Sequence, residues 1–407
     1  MKRREFLRLS GLGTGALFTS PWLSALNIEP SKVKHVVVCM LAGGVRSLEA
    51  VEEKEGSLMP HIFGNNIAIS SDIREGIHGM PLLSSTPLVQ RGVLFKNFKY
   101  KKGVTLHYTA HAACIMGRYE NEVPLLKPLP YPSMFELFRK HSSMGNNPLS
   151  AWWVSDQGGS FPFLYSSSYK GYGAQYAATM VQPYNLFKSN VSFELPQFKQ
   201  EALDLIGGGT GAYQSQTNDT KLNSFFNNFE DKFKRDKGDI WQLKEKVNND
   251  IYNAYFTSEV LKNFKPRLTV FNMQETDIGH SNFTAYCNNL NKADFATYKI
   301  WETIQNDPEL KQNTVMIVVP EFGRNKEGNT LVDAFGRRAV DHTGDELSRK
   351  LFCLVLGPDH LINKGTIIEE EGELIDIMPT VADLLGFYNN IPNELIQGRV
   401  LREIYKV

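Results

Sequence analysis

The sequence has few cysteines, no excess of either charge and no long hydrophobic run. Four cysteines in 407 residues are too few for a disulfide framework. Cys39 and Cys353 stand inside apolar runs, so we interpret the cysteines as buried thiols. Basic and acidic residues number 44 each, which leaves no basic field to hold a nucleic-acid backbone. We therefore predict a globular chain, of one large domain or two ordinary ones, with no nucleic-acid partner.

The N-terminal segment has the features of an export signal. Lys2-Arg3-Arg4-Glu5-Phe6-Leu7-Arg8 precedes a mildly apolar run over 9–26 that contains three glycines and a proline. Paired arginines before such a run indicate a twin-arginine signal, and the glycines disfavour an amphipathic helix. The run is shorter than the unbroken apolar stretch of about 20 residues that a membrane span needs. We predict a signal at 1–30, read by the twin-arginine export machinery. Residues 31–407 would then form an exported domain, in the periplasm or at the cell surface, with no membrane span.

Continuous apolar runs alternate with helical patterns along the remaining chain. The runs are His35–Leu41, Arg267–Met273, Thr314–Val319 and Leu351–Leu356, and a helical periodicity covers 286–304. Runs that are apolar on both faces are typical of buried parallel strands. We predict an α/β fold, a three-layer α/β/α sandwich with a mostly parallel central sheet, whose ligands lie at the carboxyl ends of the strands.

The stretch from about 157 to 235 differs in composition. It is rich in Gly, Ser, Tyr, Asn and Gln, and it contains a glycine tract at 207–211. No Gly-Lys-Ser/Thr follows the tract, so it does not match a phosphate-binding loop. We predict a Gly/Ser/Tyr-rich insertion or cap over the sheet.

Acidic, imidazole and guanidinium side chains stand beside the ends of three apolar runs. Oxygen and imidazole donors of this kind suit zinc, manganese or calcium. We therefore expect one metal site at one edge of the sheet. The candidate ligands are Asp277 and His280 after the second run, Glu321 after the third, and Asp341 and His342 before the fourth. Arg324 stands close after Glu321.

The C-terminal segments resemble those of the alkaline phosphatase and sulfatase superfamily. The stretch 375–387 and Gly398-Arg399-Val400-Leu401 look like the end of those enzymes, and His342-Thr343-Gly344 is similar to the segment that carries the last zinc histidine. A closer resemblance is to an exported bacterial branch of unknown function. That branch has a Gly-Gly loop, Asp-x-His, Glu-Phe-Gly-Arg and Asp-His. The matching residues here are Gly43-Gly44, Asp277 to His280 (one residue longer), Glu321 to Arg324, and Asp341-His342.

The chain departs from the superfamily pattern at the second metal site and at the nucleophile. Ala42 and Gly43 stand where an Asp ligand is usual, and Glu321-Phe322 replaces an Asp-His pair. The place of the nucleophile is occupied by His107, with Thr105 and Thr109 on either side. The second site and the nucleophile are therefore lost or rebuilt.

The resemblance implies an exported, metal-dependent hydrolase of phosphate or sulfate esters, acting on a small anionic ester or a sulfated or phosphorylated glycan. The divalent metal would be zinc first, with calcium or manganese as alternatives. It implies Asp277, His280 and His342 as metal ligands. Asp341 or Glu321 would be a further ligand or the general base.

Several residues keep alternative interpretations. Arg324 would pair with an ester oxygen or form a salt bridge with Glu321 or another acid. Thr105 or Thr109 would be the nucleophile, direct attack by water is equally open, and the alternative role of Thr105 is to cap a helix. His107 and His111, four residues apart, would bind metal or be two partly exposed histidines.

A second hypothesis is a catalytically inactive, sulfatase-like binding protein of the cell envelope. It would use the 157–235 segment to hold a glycan or a protein, although core packing also explains the aromatic residues there. An active enzyme needs the candidate residues to converge on one cavity, whereas an inactive relative allows them to be scattered or paired with one another.

Overall fold

The computed structural model describes residues 30–52, 56, 58–64, 71–157, 161–188, 212–235 and 239–406. The predicted signal falls outside these ranges apart from Pro30, and the glycine tract at 207–211 is also outside them. Within the described ranges, no helix has both the length and the apolar character that crossing a membrane requires.

One sheet of ten strands forms the centre of the described fold. The strands are β1 (His35–Leu41), β2 (Gly92–Lys99), β3 (Ala151–Val154), β4 (Thr179–Val181), β5 (Tyr213–Gln214), β6 (Leu268–Met273), β7 (Thr314–Pro320), β8 (Lys350–Leu356), β9 (Thr366–Ile368) and β10 (Gly372–Glu373). Their order is β10-β2-β8-β7-β1-β6-β3-β4-β5, and β9 pairs with β2. The central strand β1 is parallel to both neighbours, and Cys39 stands opposite Phe271 and Val318.

Helices cover both faces of the sheet because both faces are apolar. Alternate side chains of β1 enter two separate cores, since neighbouring residues of a strand point to opposite faces. Val36, Val38 and Met40 lie in the first core, and Val37, Cys39 and Leu41 lie in the second. The first core is covered by His107–Met116, Met134–His141 and Ile377–Leu384, and the second by Thr220–Arg235, Asn249–Phe264 and Phe283–Asn306. The shorter helices are Ser71–Arg74, Pro183–Lys188 and Pro308–Asn313. The three-layer α/β/α prediction is confirmed, and the four cysteines are buried and free.

Strand β8 corrects one expectation, because it is antiparallel to both β7 and β2. The run Leu351–Leu356 is apolar on both faces because it is central, and that pattern does not distinguish strand direction. The reversal has a consequence for the site. The segment that precedes β8, which carries Asp341 and His342, lies at the same edge as the ends of β1, β6 and β7.

The described parts of the 157–235 segment correct a second expectation. Strands β4 and β5 extend the central sheet beyond β3. The helix Thr220–Arg235 buries Leu222 and Phe226 in the second core. These parts complete the sheet and one helical layer instead of forming a cap. The polar composition had obscured two very short strands.

Candidate metal centre

Four side chains meet at the carboxyl edge of the central strands. His107, Asp277, His280 and His342 each offer one ligand atom, and these atoms lie within 4.8 Å of one another. They come from three parts of the chain that the fold brings together. His107 opens the helix His107–Met116, Asp277 and His280 lie on the short 3-10 helix Glu275–His280 after β6, and His342 precedes β8.

The Gly43-Gly44 turn after β1 lets these parts approach closely. Both glycines have left-handed φ values, +84° at Gly43 and +80° at Gly44, which favour glycine. A Cβ atom on Gly43 would lie 2.5 Å from the backbone nitrogen of Asp277 and 2.6 Å from Oγ1 of Thr276. The turn therefore passes directly beneath the segment that carries Asp277, and a side chain at Gly43 would push the two apart.

Asp277 is the centre of the four-residue cluster. Its Oδ1 lies 2.9 Å from Nε2 of His107 and 3.2 Å from Nε2 of His280. The ring of His342 completes the group, with its centroid 4.6 Å from that of His107 and 4.4 Å from that of His280. Nδ1 of His342 is buried and has no hydrogen-bond partner. The imidazole and carboxylate donors that the four residues offer are of the types that hold zinc.

Asp341 lies behind His280 and outside the group of four. Nδ1 of His280 and Oδ1 of Asp341 are 2.7 Å apart, and Nδ2 of Asn329 donates to the same oxygen at 3.1 Å. A carboxylate on Nδ1 leaves Nε2 to face the cluster and fixes the orientation of the ring. The structure therefore places Asp341 as the partner of a candidate ligand, although the sequence had suggested a ligand or a base.

Glu321 is fully buried beneath His107. Its Oε1 accepts the backbone N–H of Gly43 at 2.5 Å and lies 2.6 Å from Nδ1 of His107. Its Oε2 lies 2.6 Å from Nδ1 of His111. Because this carboxylate contacts two imidazoles and a backbone amide on the inner side of His107, it does not face the open side of the cluster.

Arg324 is also fully buried, and its guanidinium connects the loops of the site. Nη1 donates to the carbonyl oxygen of Val340 at 2.6 Å, and Nη2 donates to those of Thr276 at 3.0 Å and of Gly43. Nη2 also lies 3.3 Å from Oδ1 of Asp277. This placement does not support a contact between Arg324 and an ester oxygen, because its donors are directed at the protein itself. It agrees better with the salt-bridge interpretation, with Asp277 as the acid.

The ionisation of the cluster follows from these contacts. Burial alone would lower the pKa of His107, but the carboxylates of Glu321 and Asp277 outweigh it and raise the pKa to about 10. Burial would raise the pKa of Glu321, but His107 and His111 lower it to about 2. Asp277 has a pKa well below its usual range, because its contacts with His107 and His280 outweigh its burial. Burial lowers the pKa of His342 to about 4, so this ring is neutral, the form that binds metals.

The threonines beside His107 have no identified role in the cluster. Thr105 is buried in the loop before the helix, and Thr109 is buried within the helix. The helix begins at His107 with Leu106 as the N-cap residue, and no side chain caps it. The helix-capping interpretation of Thr105 is therefore wrong, and its role as a nucleophile stays a prediction.

The sequence indicated some members of the site and missed others. The four-residue spacing of His107 and His111 was noted, and it places both on the inner side of one helix, with His111 fully buried. The interpretation of both as partly exposed histidines is wrong for His111. Asn329 carried no signal, since it stands in an irregular segment far from any apolar run.

The donor set distinguishes between the metals predicted from the sequence. Three imidazoles and one carboxylate match the nitrogen-rich ligand sets of zinc sites. Calcium takes six to eight oxygen ligands in typical protein sites, and the cluster offers one carboxylate among its four residues. The residues therefore fit zinc better than calcium, and manganese is intermediate.

Comparison with known proteins places the fold. No protein-family model matches the sequence, and no curated protein does. Solved structures do match. A four-site mutant of the alkaline phosphatase PafA is 9% identical, with a TM-score of 0.53 over 93% of this chain and 100% of that one. The putative sulfatase yidJ from Bacteroides fragilis is 11% identical, with a TM-score of 0.51 over 92% of this chain and 78% of that one. The PsFucS1 sulfatase from Pseudoalteromonas sp. is 12% identical, with a TM-score of 0.50 over 91% and 71%.

These similarities concern the fold, and they confirm the resemblance seen in the sequence. The chain shares the fold of these alkaline phosphatase and sulfatase structures. The closer resemblance to an exported bacterial branch stays a prediction.

Proposed function

We propose that this protein is a metal-dependent hydrolase of sulfate or phosphate esters, with zinc as the preferred metal. The observation that carries the proposal is the convergence of His107, Asp277, His280 and His342 within 4.8 Å at the carboxyl edge of the sheet. In α/β folds this edge is where ligands bind. The sulfatases and the alkaline phosphatase that share the fold support the same reaction class.

The exposure of each residue indicates whether it would face the substrate or hold the metal from the inner side. The side chains of Asp277 and His280 are each 37% exposed, so a substrate can approach the cluster from their side. His342 and His107 would complete the ligand set from the inner side. When bound, a zinc ion supplies Lewis acidity and activates water for attack on the ester. Because Arg324 is directed at backbone carbonyls, we assign it no contact with the substrate.

The substrate would be a small anionic ester, and sulfated or phosphorylated glycans belong to this class. The PsFucS1 sulfatase, which shares the fold, supports sulfate esters as the first group to screen. We further propose that the protein acts outside the cytoplasm after twin-arginine export, as the N-terminal segment indicates.

The test combines metal content with a hydrolysis assay. The mature protein, purified without chelator, is analysed by mass spectrometry for bound metals and assayed with 4-nitrophenyl sulfate and 4-nitrophenyl phosphate. The His342→Ala variant should lose both the metal and the hydrolysis. The matched control is His360→Ala, since His360 is exposed and follows β8, at the opposite edge of the sheet. This control should retain both. An absence of metal in the wild-type protein would overturn the proposal.

An inactive binding protein is the second candidate, and one observation favours it. The charged residues of the site are paired with one another: Asp277 with His107 and His280, Glu321 with His107 and His111, and Asp341 with His280. Such pairing compensates these charged groups without any ion, although it does not involve His342. Wild-type protein without metal, which still shows one cooperative unfolding transition, would support this candidate.

A further inference from the structure

Two buried groups beneath the candidate metal centre have no role in the proposed reaction. Glu321 and His111 both have fully buried side chains. An ionised carboxylate costs several kcal/mol to bury unless neighbouring groups compensate it. The three groups that contact Glu321 are the N–H of Gly43, Nδ1 of His107 and Nδ1 of His111. Gly43 and His107 both lie at the carboxyl edge of the sheet, beside the candidate metal centre. The Glu321 carboxylate therefore contacts the parts of the chain that form this edge.

His111 lies one helical turn after His107 and faces the same way. Its Nδ1 lies 2.9 Å from the carbonyl oxygen of His107 and 2.6 Å from Oε2 of Glu321. The rest of the ring is packed among aromatic side chains, with Phe161 at 4.9 Å and Trp153 at 6.3 Å between centroids. This packing holds the His111 ring beside Oε2 of Glu321, which lies in close contact with the ring but has no aligned hydrogen-bond donor.

We propose that His111 and Glu321 are positioning residues of the metal centre. His111 fixes the orientation of the Glu321 carboxylate, and Glu321 in turn holds Nδ1 of His107, so that Nε2 of His107 faces Asp277. The inference rests on the proposed function, because it assigns these two groups to the metal site.

The geometry explains why such a support is required. His107 contributes to the cluster through Nε2, which lies 2.9 Å from Oδ1 of Asp277. Its side chain is 19% exposed, so packing alone does not enclose the ring. Partners on the remote nitrogen of a metal-binding imidazole typically account for 10- to 100-fold in metal affinity. His280 has such a partner in Asp341, and Glu321 takes the same place for His107.

The test compares two substitutions of His111 of similar size. Asparagine carries an amide N–H near the position of Nδ1, whereas leucine fills the apolar surroundings without any donor. Zinc affinity is measured by competition with a chromogenic chelator on the mature protein. We expect His111→Leu to weaken zinc binding at least 10-fold, and His111→Asn to restore most of the affinity. Equal zinc affinity in wild type and both variants would overturn the inference.

Two further measurements separate positioning from loss of folding. The unfolding midpoint of each metal-free variant in urea shows whether the fold is intact. If neither His111 variant folds, Glu321→Gln replaces them, since it keeps the size and one acceptor oxygen. That variant should weaken zinc binding while leaving one cooperative transition, and unchanged affinity would contradict the inference. Wild-type protein that binds no zinc at all would refute the proposed function instead, so the two failures are distinguishable.

Discussion

The candidate centre has an outer half that faces solvent and an inner half that does not. In the outer half, Asp277 and His280 are each 37% exposed and Asp341 is 35% exposed. In the inner half, Glu321 and Arg324 have no exposed side-chain surface. Both halves are charged and hydrogen-bonded, yet only the outer half is open to a substrate that arrives from solvent.

The difference teaches that charge at a site does not by itself indicate catalysis. In the inner half, each charge is matched by groups of neighbouring loops. Arg324 binds the loops that follow β1 and β6, and Glu321 joins the loop after β1 to the His107 helix. These groups hold the edge of the sheet together. Substitutions should therefore cost more stability in the inner half than in the outer half.

The largest effect is expected from Arg324→Met. The substitution leaves the carbonyl oxygens of Val340, Thr276 and Gly43 without their donor. We expect the free energy of unfolding to fall by roughly 3–5 kcal/mol, the usual cost of removing one partner of a buried charged contact. Urea unfolding of the metal-free protein measures it. The control Arg338→Met changes an exposed arginine and should stay within about 0.5 kcal/mol. Equal losses of unfolding free energy in Arg324→Met and Arg338→Met would show that the inner half does not stabilise the fold.

A second prediction concerns the turn that both halves share. Gly43→Ala introduces a left-handed alanine and a Cβ atom 2.5 Å from the nitrogen of Asp277. Gly336→Ala is a matched control, because Gly336 also has a left-handed φ, +77°, but its Cβ would have no neighbour within 4 Å. The control should lose about 1–2 kcal/mol of stability from backbone strain alone. Gly43→Ala should lose more and should also lose bound metal. A smaller loss at Gly43 than at Gly336 in urea unfolding would show that the close approach is unimportant.

The third prediction is a pH dependence of the metal-free protein. His107 has a pKa raised from 6.5 to about 10, so its stabilising contribution is complete below pH 6.5 and is lost as pH rises through 10. Glu321 has a pKa lowered from 4.5 to about 2, so its contribution is present above pH 4.5 and is lost as pH falls through 2. Stability from this pair should be greatest between pH 4.5 and 6.5. Glu321→Gln should flatten the profile of urea midpoints against pH, and an unchanged profile would show that the pair does not set it.

The smallest effect on stability is expected in the outer half. Asp341→Asn keeps the size of the side chain and weakens its contacts with His280 and Asn329. We expect the free energy of unfolding to change by less than about 0.5 kcal/mol, while zinc affinity falls about 10-fold. Chelator competition and urea unfolding on the same samples give both values. A large loss of stability with unchanged zinc affinity would show that Asp341 supports the fold and not the metal centre.

Much of the fold could be predicted from the sequence. The continuous apolar runs at 35–41, 267–273 and 314–319 indicate parallel strands, and the structure confirms them as the centre of the sheet. The direction of β8 could not be predicted, because burial on both faces gives the same pattern in either direction. Strands β4 and β5 were missed because strands of three and two residues are too short to show a periodicity.

The sequence predicted which residues belong to the site better than it predicted the role of each residue. Residues beside strand ends were recognised because parallel strands end at one edge of the sheet. The inner and outer halves could not be separated, because burial depends on tertiary packing. Glu321 and Asp341 are both acidic residues of loops, yet one is fully buried and the other is 35% exposed. Arg324 shows the same limit, since its partners are mostly backbone carbonyls that no sequence motif reveals.

The reversed direction of β8 also ties metal binding to the completion of folding. His342 lies in the cluster because β8, which follows it, pairs with β7 and β2 in the folded sheet, and it lies more than two hundred residues beyond His107. An unfolded or truncated chain therefore holds no preformed ligand set, and the binding free energy becomes folding free energy. Zinc should therefore stabilise the folded chain, with a free energy of unfolding that rises with the logarithm of the free zinc concentration above the dissociation constant. A chain that ends before β8 should gain nothing from it.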